Sequence, residues 1–200
     1  MTLQDQFGNI DIYVFDQLLR GRIGPEMRVL DAGCGGGRNL VYLLRTGYDV
    51  SGNDADAAAI EQVRRLAETL APGRSHDFRV EPIERMSFAD LSFDVVIASA
   101  VLHFARDAAH FETMLRQIWR VLKPGGMFFA RLASSIGLEG EVVAIGEGRY
   151  RLPDGSDRFL VNAEAIEAST RLLGGELLDP IKTTVVHGQR SMTTWVARRL

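Results

Sequence analysis

The sequence predicts an α/β fold: a doubly wound, mostly parallel sheet finished by an antiparallel hairpin. Three observations predict it. Between Arg28 and Leu132, strand-like apolar runs alternate with amphipathic helical stretches, a rhythm that requires right-handed crossovers. A glycine cluster, Gly33-Cys34-Gly35-Gly36-Gly37, follows the first of those runs directly. The last two apolar runs, residues 177–186 and 192–197, are joined by a turn containing His187-Gly188-Gln189-Arg190 rather than by a helix, so they pair antiparallel.

The elements follow in order. Ile12, Phe15, Leu18 and Leu19 have helix spacing over residues 10–20, and Gly24-Pro25 breaks the chain before a strand at 28–31. A helix over 37–45 is closed by Thr46-Gly47, a second strand covers 48–53, and an amphipathic helix runs from 56 to 70 until Pro72-Gly73 stops it. Residues 77–81 read as strand three. Residues 93–99, Phe-Asp-Val-Val-Ile-Ala-Ser, have the composition of a strand buried on both faces of a parallel sheet. Asp107 caps a helix to residue 122 with Phe111, Met114, Leu115, Ile118 and Val121 on one face. Lys123-Pro124-Gly125-Gly126 is a sharp turn into strand five, residues 127–132. A hairpin insertion around Pro153-Asp154-Gly155 occupies about 149–161, and a last helix spans 163–173.

Composition narrows the function classes. The 200 residues suffice for one domain, 1–200, with a full core. The net charge is −3 and the arginines are scattered, which argues against a nucleic-acid partner. Cys34 is the only cysteine, so no intramolecular disulfide is possible and a cytoplasmic setting is expected. Residues 1–6 lack the features of a signal peptide, and no apolar run approaches a membrane span. No carboxylate cluster suits a metal, and the expected assembly is a monomer or a homodimer.

The glycine cluster is the most informative segment. Glycine tolerates positive φ and lets a ligand approach the backbone, and a strand–turn–helix of this kind suits a nucleotide-like cofactor. A dinucleotide fingerprint needs G-x-G-x-x-G. Gly33 and Gly35 fit it, but Arg38 stands at the third position. Asp31, two residues before the first glycine, would face pyrophosphate as a like charge; it suits a ligand with an ammonium group there. Asp54, at the tip of the second strand, is placed to accept hydrogen bonds from ribose hydroxyls.

With Asp31-Ala32-Gly33-Cys34-Gly35, Leu91-Ser92-Phe93-Asp94-Val95-Val96, residues 98–104 and Arg120-Val121-Leu122-Lys123-Pro124-Gly125-Gly126 in this order and spacing, the chain resembles class I S-adenosylmethionine (SAM)-dependent methyltransferases over essentially its whole length. The segment from Gly36 to Val50 looks most like the tellurite-resistance and thiopurine-type branch. The resemblance implies a Rossmann-like, seven-stranded doubly wound sheet, SAM as cofactor, and S-adenosylhomocysteine as product. It implies cofactor contacts from Asp31, Gly33, Cys34, Gly35, Arg38, Asn39, Asp54, Ala55, Glu81, Ile83 and Ser99. One departure stands out: where the family commonly has an adenine-binding acid after strand three, this chain has Pro82, leaving Glu81, Glu84 or the Ile83 N–H to do that work.

Strand four continues into Ser99-Ala100-Val101-Leu102, without the Asn/Asp-Pro-Pro-Tyr pattern of enzymes that methylate amino groups of bases or glutamine. The expected acceptor is therefore a small molecule with an oxygen, sulfur or similarly soft nucleophile. His103 is the candidate general base. Tyr13, Arg131, Tyr150, His187 and Arg190 are substrate-side candidates, and Arg149, Arg151 and Arg158 on the insertion are further residues suited to an anionic substrate. Two other readings stay open: a SAM-binding protein without transfer activity, and a nicotinamide-dependent oxidoreductase.

Overall fold

A computed structural model describes residues 2–200. Eight strands form the main sheet. Its spine runs in the order β10 (Lys182–Val186), β11 (Arg190–Arg199), β5 (Leu122–Ala133), β4 (Phe93–Ser99), β1 (Arg28–Ala32), β2 (Asp49–Asp54) and β3 (Asp77–Val80), and β9 (Gly175–Leu177) pairs with β11 off that path. Strands β1 to β5 are parallel, while β11 is antiparallel to β5, β9 and β10. This is the expected Rossmann-like doubly wound sheet with an antiparallel C-terminal hairpin. The winding reverses between β1 and β4, the place where open α/β sheets leave a ligand crevice.

The eighth strand comes from the stretch 177–186, which the sequence presents as one run. Asp179-Pro180 breaks it: proline has no N–H for a ladder, and the Asp179 carboxylate is drawn to Arg22 at 2.7 Å. β5 begins at Leu122, ahead of the expected 127. Phe93 pairs with Leu122, then the register jumps to Val95 opposite Met127, so Lys123-Pro124-Gly125-Gly126 loops out within the strand.

Helices α4 (Ala57–Leu70), α5 (Ala108–Val121) and α6 (Ala163–Leu172) start at side-chain caps from Asp56, Asp107 and Asn162. The N-terminal helix α2 (Ile12–Leu19) is preceded by a short α1 (Leu3–Phe7) with a capping box between Thr2 and Asp5, which the periodicity at 10–20 does not foretell. α3 (Val41–Thr46) begins later than the expected 37 because left-handed glycines upstream postpone the helical backbone. The expected hairpin insertion is larger, an antiparallel sheet of β6 (Val143–Gly146), β7 (Arg149–Arg151) and β8 (Asp157–Phe159). It is docked through Phe159, stacked on Phe111 at 4.7 Å between centroids, and through Leu152 and Leu160 packed with Ala133.

Both faces of the main sheet are covered. Alternation along β5 sends Phe128 toward α5 and α6 and Phe129 toward α3 and α4. Trp195 on β11 is fully buried, meets Phe128 edge-on at 5.0 Å, and donates its Nε1–H to Thr170 Oγ1 at 3.0 Å. Among the described residues no helix is long and apolar enough to cross a membrane. Trp195→Ala is expected to lower the unfolding free energy by about 3–5 kcal/mol in urea titration; a loss below about 1 kcal/mol would show that the C-terminal strand is not part of the core.

Candidate functional site

The crevice at the β1/β4 reversal opens into a cleft of about 660 Å3. The glycine turn forms one wall. Gly33 has φ 75° and a Cβ there would lie 2.5 Å from Val101 Cγ2, so only glycine fits between β1 and the chain leaving β4. The Gly33 and Cys34 N–H groups both donate to Asn53 O, at 2.9 and 3.0 Å. The Gly35 N–H donates to Asp54 Oδ2 at 2.9 Å, and Asp54 Oδ1 accepts the Asp56 N–H at 2.9 Å. One carboxylate thus ties the turn to the tip of β2.

Asp31, on β1 two residues before the glycine turn, is paired across the sheet with Gly52 and Ile97. It is 1% exposed, and neither carboxylate oxygen has a hydrogen-bond partner among the described residues. Burial pushes its pKa up to about 7, against the opposing pull of Arg38 and Asn39. A buried carboxylate without a close donor is costly; Asp31 itself lines neither the cleft nor its neighbouring cavity, while Gly33, Cys34 and Asn39 beside it line the cleft.

Arg38 reaches from the turn to Ser99 Oγ at 2.9 Å and lies 3.6 Å from Asp11 Oδ2. Asp11 collects the neighbourhood. Its Oδ1 caps α2 by accepting the Tyr13 N–H at 3.0 Å, its Oδ2 accepts from Ser99 Oγ at 3.2 Å and Arg131 Nη1 at 3.1 Å, and its N–H donates to Asn39 Oδ1 at 3.0 Å. The Cys34 thiol is buried, and burial raises its pKa well above the ordinary thiol range, which leaves it unreactive at neutral pH.

A neighbouring cavity of about 220 Å3 shares Gly33, Asp54, Val101 and Phe104 with the cleft and adds Ala55, Glu81, Pro82, Ile83 and Glu84. Glu81 is turned onto Ser87, whose N–H it accepts at 2.8 Å and whose hydroxyl it also accepts. Glu84 is 3.1 Å from His110 Nε2 and 3.8 Å from Arg106. Ile83 opens a single 3-10 turn, so its N–H has no helical acceptor.

On the other side of Ala100 lies a third cavity of about 190 Å3, lined by His103, Asp154, Arg158 and Arg190 among others. Ala100 borders both it and the main cleft. Its φ of 63° is a strained value for a residue with a Cβ, held by its N–H donating to Arg131 O at 2.7 Å. His103 Nδ1 accepts the Ala133 N–H at 3.3 Å, so the neutral ring carries its hydrogen on Nε2. Burial, reinforced by the charge of Arg158, pushes its pKa down to about 4.

Gly33, Cys34, Gly35, Arg38, Asn39, Asp54 and Ser99 therefore border the main cleft, and Ala55, Glu81 and Ile83 the adjoining cavity. His103 and Arg190 meet in the third cavity. Four substrate-side expectations fall elsewhere. Arg131 is spent on Asp11 and on the Tyr13 ring, 5.3 Å away. The Tyr13 hydroxyl pairs with Thr184 Oγ1 at 2.9 Å, and Tyr150 packs against the Leu152 and Leu160 cluster. His187 is exposed in the β10–β11 turn. Sequence reasoning missed Asp11, for which no local pattern signals a role, and Phe104, which is exposed and borders two cavities. Among the described residues no group of His, Cys, Asp or Glu is placed to hold a metal.

A family model described as a methyltransferase domain matches residues 30–130. Among curated proteins, the chain is 38% identical over 117 residues to a ubiquinone biosynthesis O-methyltransferase of Methylocella silvestris, covering 56% of this chain and 44% of that protein. It is 32% identical over 165 residues to a protein of the same name from Chelativorans sp., covering 80% and 62%. The chain thus spans less than two thirds of the curated relatives' length. Among solved structures, a SAM-dependent methyltransferase from Methanosarcina mazei superposes with a TM-score of 0.72 at 22% identity, covering 92% of this chain and 97% of that one, a likeness of fold. None of these relatives carries the name of the tellurite-resistance or thiopurine branch, and that narrower expectation stands without support.

The buried acid has a measurable signature. The folded pKa of Asp31, about 7, lies above its ordinary 3.8, so its ionisation opposes folding as pH rises from about 4 to 7. His103 acts oppositely: with a folded pKa of about 4 against 6.5, it removes stability as pH falls through that interval. The two offset one another in wild type, so the difference from Asp31→Asn isolates the acid. In the absence of ligand, the variant should gain on wild type between pH 4.5 and pH 8 by roughly 4 kcal/mol at most, read by urea unfolding. A pH-independent difference would mean that Asp31 ionises normally.

Proposed function

The chain belongs to the class I SAM-dependent methyltransferase family, and from that membership we propose that it transfers the methyl group of SAM to an oxygen, or a similarly soft nucleophile, of a small molecule. The observation that carries this reading is the buried, unpaired Asp31 carboxylate at the winding reversal. An ammonium group in the cleft supplies the donor that Asp31 lacks, and the glycine turn leaves room for the ligand to lie against the backbone. The names of the two curated relatives favour oxygen as the accepting atom.

Each cofactor-side residue has a task in this reading. Arg38, partly exposed at the cleft, holds the ligand's carboxylate. Asp54 uses one lone pair on each oxygen for Gly35 and Asp56 and keeps the others for ribose hydroxyls. Glu81 and Glu84 are committed to Ser87 and His110, which leaves the Ile83 N–H for the purine ring. Phe104 and Val101 form the apolar wall between the two cavities. When bound, SAM supplies a methyl group on a positively charged sulfur.

The protein's contribution to transfer is alignment and the exclusion of water, of which alignment is the larger, worth about 7–11 kcal/mol in well-oriented systems. His103 serves as a hydrogen-bond donor through Nε2–H and not as the base expected from its position. Accepting a proton would set an Nδ1–H against the Ala133 N–H, in a buried site beside Arg158. The cavity beyond Ala100 gives an acceptor somewhere to sit, which favours an enzyme over a SAM-binding protein without transfer activity. Arg38 at the third glycine position disfavours the nicotinamide reading.

Calorimetric titration tests the assignment. S-adenosylhomocysteine should bind wild type, NAD should not, and Asp31→Asn should weaken S-adenosylhomocysteine about 10–100-fold, the worth of a charge-assisted hydrogen bond, while circular dichroism stays unchanged. Wild-type affinity in the variant, or NAD binding in place of S-adenosylhomocysteine, would refute the assignment.

A further inference from the structure

Resting on the methyltransferase reading, we propose that the cavity beyond Ala100 takes an acceptor bearing a negatively charged group, a carboxylate or a phosphate, held between the guanidinium groups of Arg158 and Arg190. The cavity joins two segments far apart in the chain, the insertion strand β8 with its preceding turn and the start of β11, against the turn that follows β4. Its charge is unbalanced. Arg158 is braced, not neutralised: Nη1 donates to Asp157 O at 2.8 Å, and the guanidinium lies over the Phe104 ring, 5.0 Å from its centroid. No carboxylate lies within ion-pair distance of Arg158 or Arg190 among the described residues, whereas Arg151 on the same insertion is paired with Asp157 at 2.7 Å.

Asp154 is the one acid in the wall, and it is already engaged. Its Oδ1 accepts the Ser156 N–H at 2.9 Å and the Ser156 hydroxyl at 2.6 Å. Asp154 keeps its charge, its pKa held down first by Ser156 and then by Arg158 and Arg190. Two cations against one anion leave the lining with a single positive excess beside a neutral His103. Burial, and after it the charge of Arg158, keeps His103 neutral there.

Transfer forms a C–O bond and breaks the S–CH3 bond of SAM to leave S-adenosylhomocysteine, and the acceptor's hydroxyl proton leaves to bulk solvent, so the acceptor reacts as its oxyanion. Arginine suits the anchoring role because its planar fork grips carboxylate and phosphate oxygens in pairs.

The test uses the full chain saturated with S-adenosylhomocysteine, titrated with matched probes: 3,4-dihydroxybenzoate against its methyl ester, and phenyl phosphate against phenol. The carboxylate and phosphate arms distinguish the two anions. At least one anion should bind about tenfold or more tightly than its neutral partner, weakening as salt rises. Arg158→Gln and Arg190→Gln should each erode that preference, and the double variant should abolish it, with S-adenosylhomocysteine affinity held within about threefold. Failure of every anion to bind, equal binding of acid and ester, or a preference that survives the double substitution overturns the proposal. The S-adenosylhomocysteine titration on the same samples separates the two levels. If that ligand does not bind wild type, the methyltransferase reading falls; if it binds and anions gain nothing, only the acceptor's charge is wrong.

Discussion

The Asp31 carboxylate, buried at the end of β1 with no hydrogen-bond donor, is the constraint around which the site is arranged. A fold that leaves such a group unpaired incurs a cost of several kcal/mol or keeps the group protonated, and a pKa near 7 places Asp31 between those outcomes. The sheet topology sets its address, because β1 is the strand from which winding proceeds in both directions. The glycine turn above it keeps the opening free of side chains, and Asp54 pins that turn in place. In the proposed assignment a cationic ligand group removes that cost, and part of the binding energy is stored in the empty protein.

Asp11 does the opposite work. Where Asp31 is left without donors, Asp11 has several, drawn from α2, the glycine turn, β4 and β5. It fastens the N-terminal helix over the ends of the central strands and holds Arg38 and Arg131 in fixed positions. Two buried acids thus differ in their surroundings: Asp11 is satisfied as part of the scaffold, and Asp31 is left without a close donor, which is why we assign it to the ligand. Beyond Ala100 the balance of charge reverses, with Arg158 and Arg190 against the single acid Asp154.

The proposed cofactor half of the site was legible because it is contiguous. Asp31 to Asn39 and the tip of β2 carry their chemistry in local spacing, and β4 and α5 announce themselves by composition and period. The acceptor half was not, because His103, Arg158 and Arg190 are brought together only by tertiary folding and no local pattern links them. Arg131 shows the same limit from the other direction: its place near the end of β5 was legible, but its commitment to Asp11 was not, since the two are 120 positions apart. Within the fold, the errors fall where one residue overrides a pattern. Pro180 divides a strand-like run, left-handed glycines delay α3, and a register jump absorbs the turn before β5.

The most direct test of Asp31 as the ligand's counter-charge is the proton balance of binding. Calorimetric titration of S-adenosylhomocysteine into wild type at pH 7, repeated in buffers of different ionisation enthalpy, measures it. With Asp31 half protonated when free and ionised when paired with an ammonium, binding should release about half a proton. A binding enthalpy independent of the buffer would contradict the account.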